Sequence, residues 1–65
     1  MSIEALRQKE TEALYRTMSH EWLEAMQRAL WADRKEIPAW DRDNLAFCDA
    51  RIAIIDRILE ERRTT

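Results

Sequence analysis

The stretch Lys35-Glu36-Ile37-Pro38-Ala39-Trp40-Asp41 decides how this chain is divided. Pro38 is its only proline, and the chain contains no glycine. Proline has no amide proton to give to a helix, and it pushes the preceding residue, here Ile37, out of helical angles. A helix arriving from the N-terminal side must therefore end here. Asp41 has the side chain of an N-cap, and Asp43 follows in the next turn, where a carboxylate meets the positive end of the helix dipole. The expectation is a helix over about 2–34, a turn over about 35–40 and a second helix over about 41–62, in one domain covering 1–65.

Downstream of the turn, Leu45, Cys48, Ile52, Ile55 and Leu59 recur at steps of three and four, a short coiled-coil-like seam. Phe47, Ile54 and Ile58 form a second apolar strip beside it. Upstream, Ser2 is placed as an N-cap with Glu4 in the first turn. Leu14, Met18, Trp22, Ala25 and Ala29 then define one helix face. Tyr15 and Met26 widen this stripe, and Leu23 with Leu30 makes a shoulder beyond it. The stripe crosses Ser19 without a phase shift, which favours one continuous helix. The alternative is a break near Ser19, with Ser19 capping a new helix and Met18 and Leu23 stapled across the cap. A turn this short makes its flanking helices antiparallel neighbours. The fold class is all-α: a two-helix antiparallel hairpin, or three helices if the chain breaks at Ser19.

Composition agrees with helices. The chain of 65 residues is 46% hydrophobic and 37% charged, with one cysteine. So short a chain buries only about 60% of the surface its unfolded form exposes, and it needs help from disulfides, a metal or association. A lone Cys48 allows neither an intrachain disulfide nor a cysteine zinc cluster. Both helices also carry apolar residues over a broader arc than one helix contact covers, and exposed apolar patches of that kind are uncommon on monomers. The expectation is a homodimer whose paired hairpins form a four-helix bundle. Ala25, Ala29 and Ala32 would allow close approach. Leu14, Met18, Trp22, Met26, Leu30, Leu45, Cys48, Ile52, Ile55 and Leu59 are the core and dimer candidates.

Three tryptophans are many for this length. Trp22 falls on the main stripe, whereas Trp31 falls off it and Trp40 sits at the turn. Trp31, Ile37 and Trp40 are therefore the partner-binding candidates, since large stiff rings dominate binding hot spots. The competing reading folds Trp31, Ile37, Pro38 and Trp40 together as a cap on the bundle end.

Chemical motifs are lacking. His20 and Glu24 stand one turn apart, but His20 is the only histidine, so a solvated pair is expected rather than a metal site. Cys48 lies on an apolar seam with no histidine base beside it, as an inert buried thiol does. Asp49, Asp56, Glu60 and Glu61 read as a solvated face pairing with Arg57 and Arg63. Without glycine, no phosphate-cradling loop can be built. No catalytic residue, cofactor or metal is expected.

The net charge is −2, with arginines scattered among acids except for Arg62 and Arg63, which weighs against nucleic acid. Met1-Ser2-Ile3-Glu4 has neither the basic nor the apolar region of a signal peptide, and Ile52 to Ile55 is too short to span a bilayer. These features, with a free thiol, point to the cytoplasm. The functional expectation is a small non-enzymatic interaction module, an adaptor or inhibitor that binds a larger protein. A structural subunit of a larger helical assembly comes second, and a nucleic-acid-associated regulator third. Short glycine-free helical hairpins are similar in style to accessory proteins carried by phages and other mobile elements. That resemblance is one of architecture, rests on no motif, and implies an inhibitor or accessory role.

Overall fold

The computed structural model describes residues 3–64, with side chains from residue 7 onward. Among the described residues the elements are three helices and no strand: α1 (Ile3–Arg16), α2 (His20–Glu36) and α3 (Arg42–Thr64). The Ser2 cap expected from sequence lies outside the described residues. The all-α class holds, and the alternative with a break near Ser19 is the one that fits.

The single long first helix is thus corrected. At its end Thr17 N donates to Leu14 O and Met18 N to Tyr15 O, at 3.0 and 3.1 Å, and the Thr17 hydroxyl also donates to Leu14 O. These short-range bonds close the last turn. Ser19 then takes extended angles, and its hydroxyl accepts from Trp22 N at 3.1 Å while Leu23 N donates to Ser19 O. Met18 packs against the core in which Leu23 is buried, on either side of the Ser19 cap. Unbroken phase through Ser19 favours continuity, but it follows a face that the fold buries only at Met18 and Trp22, which pack against the core. Leu14, Ala25 and Ala29 are exposed, whereas Tyr15, Leu23 and Leu30 are buried.

The second break falls where expected. Ile37 leaves the helix at extended angles and its N–H caps Arg34 O. Asp41 N donates to Pro38 O across the turn, and Asp41 caps α3: Leu45 N donates to Asp41 O and Asn44 Nδ2 to Asp41 Oδ2.

Helices α2 and α3 are antiparallel neighbours. Gln27 donates to Asp56, whereas Arg34, further along α2, donates to Asp49, earlier on α3. Between these pairs lie Leu30, Ile52 and Ile55, and the seam continues beyond them to Leu23, Cys48 and Leu59; all six are buried. Each fully buried aliphatic side chain here stabilises the fold by about 1.5–3 kcal/mol. Helix α1 lies against α3 and runs in the same direction: Glu12 pairs with Arg57, and Arg16 with Glu61. Ile54 and Ile58 of the second strip are buried. Contact between α1 and α2 is slight and includes the Tyr15 and Trp22 rings, 5.7 Å apart.

The corner between α1 and α2 is held from the far end of the chain. Arg62 donates to Arg16 O at 3.1 Å and to Met18 O at 2.9 Å. These are carbonyls that a helix end leaves without intrahelical partners. Arg62, which the sequence shows only as half of an Arg62–Arg63 pair, thus caps another helix.

Candidate functional site

The expected site residues divide sharply by exposure. Of the partner-binding candidates, Trp40 is 81% and Trp31 47% exposed, whereas Ile37 is half-buried and packs against the core. Trp31 lies beside Arg34, whose guanidinium carbon is 5.9 Å from the ring centroid. No ring contact joins Trp31 to Trp40 among the described residues. Of the core and dimer candidates, Leu30, Cys48, Ile52, Ile55 and Leu59 come together in the core. Met18, Trp22 and Met26 pack against its edge, and Leu45 is half-buried. Leu14, at 55% exposure, stands apart from them.

The groups weighed for chemistry are dispersed. His20 Nε2 lies 2.5 Å from Glu24 Oε1 on the open face of α2. Cys48 is buried, with its thiol donating to Leu30 O at 3.3 Å. Among the described residues no three His, Cys, Asp or Glu side chains gather as metal ligands, and no helix is long and apolar enough to cross a membrane.

The acids of α3 pair mostly across helices rather than along their own. The hydrogen bond from Arg34 holds Asp49 below its ordinary value of 3.8, and the bond from Arg16 holds Glu61 below 4.5. The same bonds raise the two guanidinium groups. Arg57 turns to Glu12 of α1, and Arg63 keeps a partner on its own helix, Glu60.

One feature was missed by sequence reasoning. Phe47 is 63% exposed at the start of the strip that Ile54 and Ile58 continue. It lines an open groove of about 550 Å³ between the N-terminal part of α1 and the first half of α3. Arg7, Gln8 and Thr11 form one wall, and Asp43, Asn44, Phe47, Ala50, Arg51 and Ile54 are on the other. The groove exists because α1 has nothing apolar to lay there: residues 7–12 read Arg-Gln-Lys-Glu-Thr-Glu. That polar run opposite an apolar strip was the available signal.

Arg51 is the most constrained polar group in the groove. Its Nε donates to Tyr15 Oη at 2.9 Å. Its guanidinium carbon lies 5.9 Å from the Tyr15 ring centroid and 5.5 Å from that of Phe47. Each such contact contributes about 0.5–1 kcal/mol and fixes the orientation of the planar group.

Comparison with protein-family models, with curated proteins and with solved structures finds no match for the chain.

Proposed function

We propose that this chain is a small protein-interaction module, an adaptor or inhibitor without catalytic chemistry, that acts by presenting aromatic side chains to a larger protein partner in the cytoplasm. The observation that carries this reading is the exposure of Trp31, Trp40 and Phe47 on a frame whose core is filled without them. An exposed ring that does not serve the core is surface available for recognition. Self-association as a homodimer belongs to the same reading. It is supported by Ala25, Ala29 and Ala32, which are all exposed on one side of α2 and would let two copies approach closely.

Two measurements test it. Sedimentation equilibrium over a hundredfold concentration range should give a dimer, and Ala29→Glu should give a monomer with unchanged helicity. A wild-type monomer at every concentration overturns the dimer. Replacing Trp31 and Trp40 with Ala should shift stability by no more than about 1 kcal/mol, the loss of the Arg34 contact to Trp31 included. A loss of several kcal/mol would make these rings structural and overturn their role in recognition.

A further inference from the structure

Arg51 differs from three other arginines that reach across the fold. Arg16, Arg34 and Arg57 each meet a carboxylate on a neighbouring helix. Arg51 is half-buried, yet its partner is a neutral hydroxyl, and no carboxylate among the described residues lies within ion-pair distance. A guanidinium removed from water is stabilised by an opposite charge, and its planar fork suits a carboxylate bound through two parallel hydrogen bonds. With Nε committed to Tyr15, the two terminal nitrogens remain for such a bond. Arg7, on the opposite wall, likewise has no ion-pair partner among the described residues. The one acid lining the groove among the described residues, Asp43, sits in the first turn of α3, where the helix dipole favours it. Beside Arg51 the wall is apolar: Phe47, Ala50 and Ile54. The volume lies within the range of about 300–1,000 Å³ typical of binding pockets.

Building on the reading as an interaction module, we propose that the α1–α3 groove receives a short segment of a partner protein in which an Asp or Glu stands within one helical turn of aliphatic side chains. The carboxylate engages Arg51, with Arg7 reinforcing it, and the aliphatic groups cover Phe47 and Ala50. This is helix-in-groove recognition with one charged anchor. A polyanion such as nucleic acid is a poorer fit, because the chain as a whole carries a net charge of −2.

The test is selection of a phage-displayed random 12-residue peptide library on the full chain, followed by titration of the enriched peptides. Enriched sequences should place an acid within four residues of Leu, Ile, Val or Phe. Arg51→Gln should weaken their binding at least tenfold, changing the peptide's acid to its amide should cost as much, and Arg28→Gln on α2 should change nothing. Because Arg51 also holds Tyr15, a second variant guards against misfolding. Phe47→Glu alters an exposed ring, should leave helicity intact and should abolish binding by placing a like charge in the groove. Enriched peptides without an acid, or binding that survives both variants, overturn the proposal. If Phe47→Glu instead dissolves a dimer, the groove's occupant is a second copy and the proposal fails. If enriched peptides depend on Trp31 and Trp40 but not Arg51, this inference falls while the broader reading stands; if nothing is enriched, both fall.

Discussion

Helices α2 and α3 meet through carbon, whereas α1 is held to α3 largely by charge. The α2–α3 seam buries Leu23 and Ile55 completely, with Leu30, Ile52 and Leu59 nearly so. In α1 only Tyr15 is buried among residues 7–16, and its other ties to α3 among the described residues include the Arg51–Tyr15 hydrogen bond, Glu12 with Arg57, Arg16 with Glu61, and the Arg62 cap. An aliphatic seam is insensitive to salt and acid, whereas a surface ion pair is screened by one and cancelled by the other. The molecule is therefore a firm helical pair carrying a first helix whose attachment can be adjusted separately.

The largest effect should come from the seam. Ile55→Ala should cost about 2–5 kcal/mol, because it leaves a cavity where α3 meets α2. In a domain this size that lowers the thermal midpoint by upwards of about 10 °C, and amide protection should fall in all three helices together. Protection lost from α3 alone would mean that the pair is not one cooperative unit.

A smaller and more local effect is expected at the corner. Arg62→Ala removes charge-assisted hydrogen bonds to two carbonyls and should cost about 1–3 kcal/mol. Amide exchange should quicken through α1 and the residues around Ser19, while the middle of α2 and α3 stays protected. Equal acceleration everywhere would erase the distinction between the two regions.

The smallest effect is the pH response. Asp49 and Glu61 have folded values below their ordinary 3.8 and 4.5, so what they contribute is fully present above those values and is lost as pH falls through the lowered ones. Glu61→Gln should therefore flatten the decline of the thermal midpoint below about pH 4.5. An unchanged profile would place the acid sensitivity elsewhere.

Much of this was legible in the sequence, but unevenly. Pro38 and Asp41 mark the turn unambiguously, and the branched residues of α3 leave little choice of face, so Cys48, Ile52, Ile55 and Leu59 read directly as a seam. The first half resists because apolar neighbours stand side by side. Leu14 adjoins Tyr15, Trp22 adjoins Leu23, and Leu30 adjoins Trp31. Neighbours on a helix point about 100° apart, so periodicity alone supports either member of each pair. The fold buries Tyr15, Leu23 and Leu30 and leaves Leu14 and Trp31 exposed, with Trp22 between. What settles the matter is α3, whose seam accepts the branched leucines of α2, together with the stop at Thr17–Ser19 that frees α1 and α2 to take separate phases. The groove escaped notice for a related reason: it depends on which residues of α1 lie opposite Phe47, and that pairing arises only once the chain has folded back.

The Arg62 cap also sets a timetable. The carbonyl of Arg16 waits for a side chain 46 positions later. At a synthesis rate of about 5–20 residues per second, the end of α1 stays untied for roughly 2–9 seconds after it is made. During that interval the nascent chain offers Tyr15 and a short, weakly apolar helix with nothing to dock on. Of the three helices, the one made first is thus the last to be secured.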